Sequence, residues 1–127
     1  REMSAYIGRE DYTQMTQASY INIRFLSSVA SEDEAAELGR SLMDAFRDLG
    51  NIVAFEVKKY WKIPECYECS MELHAEAISD ATLPILIERL GHGWERVSSA
   101  CFIWNRSEEF RFADERVNWA EVEFIEV

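Results

Sequence analysis

Two groups of side chains in the middle of the chain could do chemistry, and the first is a pair of cysteines. Cys66 and Cys69 have the C-x-x-C spacing at which two thiolates can share a zinc ion or form a redox-active disulfide. A structural zinc site usually brings a second such pair, which the sequence lacks. Redox motifs lie at the start of a helix, whereas this pair begins a predicted strand. Since Cys69 alternates in phase with the apolar Met71 and Leu73, we predict buried structural thiols, no metal and no cofactor.

The second group combines carboxylates with a histidine. Glu72, His74 and Glu76 alternate along one predicted strand, so they project from one face, and Glu56 lies nearby in the strand that precedes it. Such a cluster can transfer protons or bind a metal ion. A general acid or base also needs a pocket that shifts its pKa, and an open sheet face leaves one side in water. We therefore predict a polar outer face and a protein that is not an enzyme.

A basic and aromatic stretch could suit single-stranded RNA, because Lys58, Lys59 and Lys62 flank Tyr60 and Trp61. Glutamates surround this stretch, and the formal net charge of −11 repels phosphates. We predict neither nucleic acid nor a membrane as a partner. The same charge attracts basic proteins, although it also serves solubility alone.

Length and composition predict one domain. The 127 residues, 48% of them hydrophobic, suffice for one core, so we expect a single domain over 1–127 with a polar arm at 1–19. No apolar run is long enough to span a membrane, and no basic segment followed by an apolar one begins the chain, which predicts a cytoplasmic protein without a signal peptide. Three cysteines, an odd number, favour reduced thiols.

Two helices and several strands position these residues. Ser31 and Glu34 form a capping-box pattern for a helix whose apolar stripe ends before Gly50, and Ser79 is the expected cap of a second helix that runs to Leu90. Alternation of apolar and polar residues predicts strands at 20–26, 53–61, 69–76, 100–104 and 117–127.

The order strand, helix, strand, strand, helix, strand predicts an α+β fold. Two β-α-β crossovers and one hairpin give a ferredoxin-like two-layer sandwich, a mostly antiparallel sheet with both helices on one face and an extra C-terminal strand. The other face of this sheet is then free for a partner.

That free face is the predicted binding surface. Its outward positions combine carboxylates, which steer a basic protein, with aromatic side chains, which anchor interfaces. The residues we expect to contact the partner are Glu56, Tyr60, Glu72, His74, Glu76, Trp119, Glu121 and Glu123. A second candidate region is the charged segment 105–116, with Glu108, Glu109, Asp114 and Glu115. Alternatively, the 1–19 arm or the 105–116 segment covers Tyr60 and Trp119.

In size, charge and its acidic, aromatic strand 117–124, the chain resembles the small immunity proteins that bacteria use to neutralise nuclease toxins of contact-dependent-inhibition and related polymorphic-toxin systems. The resemblance implies a cognate toxin domain as the basic partner and acidic side chains that occupy its active-site cleft. A second resemblance is to acidic ferredoxin-like regulators of a cellular ribonuclease. A third possibility, a dimeric ferredoxin-like sensor with a small molecule between subunits, also stays open, as does the oligomeric state.

Overall fold

The computed structural model describes residues 19–75 and 78–126 and has an α+β architecture. The elements follow in the order β1 (Tyr20–Ser27), α1 (Glu32–Met43), a 3₁₀ turn (Arg47–Leu49), β2 (Asn51–Lys59), β3 (Tyr67–His74), α2 (Thr82–Leu90), β4 (Glu95–Ser98), β5 (Cys101–Asn105) and β6 (Val117–Ile125). The arm expected at 1–19 lies outside the described residues except for Ser19.

The strands form a six-stranded sheet in the order β2-β3-β1-β6-β5-β4, in which all neighbours are antiparallel. Both helices lie on one face, with α1 on β2 and β3 and α2 on β6. The register aligns apolar side chains beneath them in continuous rows across the strands. One such row is Phe55, Met71, Ile23, Val122 and Phe102. The mostly antiparallel α+β sandwich expected from the sequence is thus confirmed at this level.

The start of α1 follows the predicted capping box. The Ser31 hydroxyl accepts a hydrogen bond from the Glu34 amide at 3.1 Å, and the Glu34 carboxylate accepts one from the Ala30 amide at 3.0 Å. The end of the helix differs from the prediction, because α1 stops at Met43 and the apolar stripe continues through the 3₁₀ turn. Phe46 is nevertheless fully buried.

The start of α2 differs as well. The helix begins at Thr82, and Ser79 does not cap it through its side chain; instead the Ser79 amide donates to the Thr82 hydroxyl at 3.4 Å. Pro84 lies in the first turn, where its missing amide hydrogen costs no helical hydrogen bond.

Three further strand predictions need correction. The strand expected at 53–61 is β2, which ends at Lys59, and a bulge between Ile52 and Ala54 turns Ile52 toward the core and leaves Val53 56% exposed. The short strand β4 is absent from the predicted strands. All four of its residues are exposed, so it has no buried face that alternation in the sequence could indicate. The C-terminal strand, expected as an addition beyond 100–104, instead pairs directly with β1, and β5 lies outside it.

The segment 105–116 packs on the helix side of the sheet. Phe112 lies 4.6 Å from the Trp104 ring and 5.9 Å from the Phe25 ring, measured between centroids, and all three side chains belong to the core or pack against it. Within the residues that the structure describes, no helix is long and apolar enough to cross a membrane.

Candidate partner-binding surface

The side of the sheet that faces away from both helices, here called the open face, carries its polar residues in rows across the strands. Because side chains alternate along each strand, the residues outward on one strand align with those on its neighbours. From β2 to β5 the three rows are Ala54, Glu72, Asn22, Glu123 and Cys101; then Glu56, Ser70, Arg24, Glu121 and Ile103; then Lys58, Glu68, Leu26, Trp119 and Asn105.

Arg24 lies at the centre of the open face and joins three strands. Its Nε donates to Glu68 on β3 at 2.7 Å, and its Nη1 donates to Glu121 on β6 at 2.9 Å. Burial by itself lowers the pKa of Arg24, but the hydrogen bonds that Arg24 donates to the two carboxylates raise it, and the net change is upward. The guanidinium carbon also lies 5.2 Å from the Trp119 ring centroid, within cation–π range. The arginine therefore stays charged and fixed in place.

The sequence predicts only part of this cluster. Glu121 was a predicted contact residue, whereas Glu68 was not, although it is the most buried of the carboxylates on this face at 9% exposure. The signal that could have identified it is the outward position of Arg24, since a half-buried arginine requires a carboxylate on an adjacent strand.

Glu72 and His74 lie at one end of the open face, next to β1. His74 Nε2 is 3.2 Å from Glu72 Oε1, and the His74 ring stacks on Tyr20 with 4.9 Å between centroids and 3° between planes. Glu56 is exposed on β2, opposite Ser70 and two strands from Arg24. Glu76 lies outside the described residues. The stacked histidine is thus part of an open surface.

Tyr60 and Trp119 lie together at the other end of the open face. Both line a cavity of about 520 Å³ between the β2–β3 connection and the start of β6. Its lining residues are Leu26, Tyr60, Lys62, Ile63, Cys66, Asn105, Asn118 and Trp119. Of the segment 105–116, one alternative cover for these rings, Asn105 lines this cavity, whereas Phe112 packs behind the sheet. The 1–19 arm, the other alternative, lies outside the described residues except for Ser19.

Glu121 and Glu123 flank a thiol. Cys101 on β5 lies opposite Glu123, and its sulfur is 3.7 Å from Glu121 Oε2. Burial raises the pKa of Cys101 to about 11, and the charges of the two glutamates add to the effect. The thiol is therefore protonated near neutral pH and donates to the carboxylate.

The second candidate region does not join this surface. Arg116 binds Asp114 at 2.9 Å and Glu34, at the start of α1, at 3.1 Å, so this cluster ties the segment to the helix layer. The hydrogen bond from Arg116 is the main reason why the pKa of Asp114 is lowered. Glu108 and Glu115 line a separate cavity of about 260 Å³ with Trp104 and Phe112, and Glu109 is exposed in the same loop. The predicted contact residues therefore lie on two different sides of the molecule.

The C-x-x-C cysteines also lie in different environments. The Cys69 sulfur is beneath α1, next to Gly39, and burial raises its pKa to about 12. Cys66 instead lies 3.6 Å from the Ser28 hydroxyl and lines the cavity. In the described ranges 19–75 and 78–126, no three histidine, cysteine or acidic side chains are grouped to hold a metal ion.

Comparison with known proteins gives no relative: no family model matches the chain, and no curated protein or solved structure is significantly similar to it.

Proposed function

We propose that the protein is a non-enzymatic inhibitor that binds a basic protein through the open face. The observation that carries the proposal is the charge of that face, where Glu56, Glu72 and Glu123 project from three different strands around the Arg24 cluster. Arg24 is compensated by Glu68 and Glu121, so it adds no free positive charge at the centre. A surface of this kind steers and orients a basic partner.

We propose a cognate bacterial nuclease toxin as that partner, which makes the chain an immunity protein that acts in the cytoplasm. A nuclease cleft is basic because it binds phosphates, and the carboxylates of the open face offer the same charge in rigid positions. A cellular ribonuclease presents similar chemistry and is the alternative partner.

We further propose that β2, β3, β1 and β6 with the two helices form a ferredoxin-like core. The support is the chain order: once β4 and β5 are treated as a hairpin inserted before β6, the elements follow as strand, helix, strand, strand, helix, strand. In this arrangement the open face is the uncovered side of the core.

The test is a titration of the purified chain against the product of the gene directly upstream, with binding measured by calorimetry and nuclease activity measured in parallel. We expect tight binding that weakens with salt and suppresses cleavage. A chromosomal ribonuclease that is inhibited instead would identify the alternative partner. Absence of binding to either nuclease contradicts the proposal.

A matched pair of variants tests the face. Glu56→Lys with Glu123→Lys reverses two open-face charges, whereas Glu37→Lys with Glu88→Lys makes the same change in net charge on exposed positions of the helices. We expect the first variant to bind at least about tenfold more weakly, mainly through slower association, and the second to bind within about twofold of the parent. Equal losses in both variants would mean that net charge alone, rather than the open face, controls binding.

A further inference from the structure

The cavity at the end of the open face differs in charge from the rest of the molecule. Among the residues that the structure describes, Lys62 is the charged side chain that lines this cavity, and no acidic side chain does. The sequence has only three lysines: Lys58 and Lys59 end β2, and Lys62 lies in the β2–β3 connection. The charged group at the cavity itself is therefore a cation, although the protein as a whole is strongly negative.

The lining is apolar and aromatic with a few polar groups. Tyr60, Trp119, Leu26 and Ile63 supply rings and aliphatic side chains. Lys62 also lines the cavity, and its Nζ lies 5.1 Å from the ring centroid of Trp61, which is 76% exposed, so this ammonium is on the solvent side. Pockets for small ligands combine such apolar walls with a few polar groups and range over about 300–1,000 Å³, which includes the 520 Å³ found here.

The walls at the β6 side are held in place by hydrogen bonds. Asn118 donates from Nδ2 to the Ser28 hydroxyl at 2.6 Å and accepts at Oδ1 from Arg106 Nε at 3.1 Å. Arg106 also donates to the Val117 carbonyl at 3.1 Å. The Trp119 ring is covered on one side by Arg24. These contacts pre-form the site, so a ligand would not need to order it.

We propose that this cavity binds a small aromatic carboxylate, with the ring between Tyr60 and Trp119 and the carboxylate toward Lys62. Charge complementarity selects the anion, because Lys62 is the charged side chain of the described lining and the other two lysines of the sequence end the adjacent strand β2. The ring is favoured since aromatic side chains contribute stacking as well as burial. This inference is independent of the proposed function, since the free protein provides every group that the ligand contacts.

The first test uses three probes of one shape on the isolated protein: 2-naphthoate, 2-naphthamide and 2-naphthylmethylamine. We expect 2-naphthoate to bind about fivefold more tightly than the amide and tighter still than the amine, with the difference reduced at high salt. Equal binding of all three probes would overturn the anionic preference, and no binding of any would overturn the site. Because no partner is present, neither result depends on the immunity proposal.

Variants then locate the site. Lys62→Glu should remove the preference for 2-naphthoate over the amide, whereas Lys59→Glu, which makes the same change at an exposed residue outside the lining, should keep it. Trp119→Ala should weaken all three probes, and its melting temperature is compared with that of the parent to establish that it folds. If Lys59→Glu and Lys62→Glu lose the preference equally, the lysines act together rather than through a contact of Lys62 in the cavity, and the proposed pose is wrong.

Discussion

Two arginines of this protein each join two carboxylates, and their different surroundings show what such a cluster does in each place. Arg24 connects Glu68 and Glu121 across three adjacent strands, with side chains that are 28%, 11% and 19% exposed. Arg116 connects Asp114 and Glu34 between a loop and a helix start, and these are 36%, 21% and 35% exposed.

The difference in exposure predicts different roles. Where charged groups leave water, each depends on its partners, and loss of one leaves the others uncompensated. Where water remains close, the same geometry contributes little to stability. The Arg24 cluster therefore stabilises the sheet and fixes the electrostatics of the open face, whereas the Arg116 cluster mainly positions the 105–116 segment.

The largest expected effect is that of Arg24→Met, which keeps the aliphatic stem and removes the charge. The Glu68 side chain, 11% exposed, is then left without its cation. We expect the free energy of unfolding to fall by about 2 kcal/mol, since the loss of about 3–5 kcal/mol seen when fully buried pairs are broken is reduced by partial exposure. Urea denaturation measures this. A fall below about 0.5 kcal/mol, the range of ordinary surface changes, would contradict the role given to the cluster.

Arg116→Met is the matched change in the second cluster. We expect it to lower the free energy of unfolding by no more than about 1 kcal/mol, because both carboxylates can be solvated once the arginine is gone. The same urea titration applies, and a loss as large as that of Arg24→Met would show that exposure does not distinguish the clusters.

The sequence predicts the local parts of this comparison and misses the parts that depend on strand pairing. Alternation places Arg24 and Glu121 on one face, and the capping box places Glu34 at the start of a helix, because these features depend on neighbours along the chain. Arg24 and Glu68 are 44 positions apart in the sequence. Their contact depends on the register of β1 with β3, and local alternation does not specify that register.

The same distinction explains the errors in the fold and in the site. The bulge between Ile52 and Ala54 changes the phase of β2, so alternation extended from Phe55 back to Val53 wrongly places Val53 in the core. Alternation does not show where the charged segment 105–116 lies: Phe112 packs against Trp104 behind the sheet, while Glu108, Glu109 and Glu115 are exposed. Tyr60 and Trp119 come together in one cavity because the end of β2 and the start of β6 lie on either side of β1 and β3, a result of strand order.

Lowering the pH should weaken the Arg116 cluster, because it protonates Asp114. Its pKa lies below the usual value of 3.8, first because Arg116 donates hydrogen bonds to it. A carboxyl group with a lowered pKa in the folded state stabilises the fold fully above pH 3.8 and loses this contribution as the pH falls through the folded pKa. In Arg116→Met, the melting temperature should therefore decline less steeply below pH 3.8 than in the parent.

Glu34 provides the internal control for that titration. Its pKa is lowered from 4.5 mainly by the Ala30 amide and only secondly by Arg116, so its contribution should persist in Arg116→Met and disappear on acidification as in the parent. If the acid dependence of the variant and the parent were identical, Arg116 would not be the cause of the low pKa of Asp114.

The smallest expected effect concerns Glu121, which Arg24 and Cys101 share. Burial is the first cause of the Cys101 pKa of about 11, and the Glu121 charge is the second. Glu121→Gln should therefore lower the pKa of the thiol part of the way toward 9.0, seen as faster alkylation of Cys101 by iodoacetamide at pH 9, followed by mass spectrometry. Glu68→Gln, which removes the other carboxylate of Arg24, should leave this rate unchanged. If Glu121→Gln also leaves it unchanged, Arg24 already neutralises Glu121 completely, and the free negative charge of the open face is then restricted to Glu56, Glu72 and Glu123.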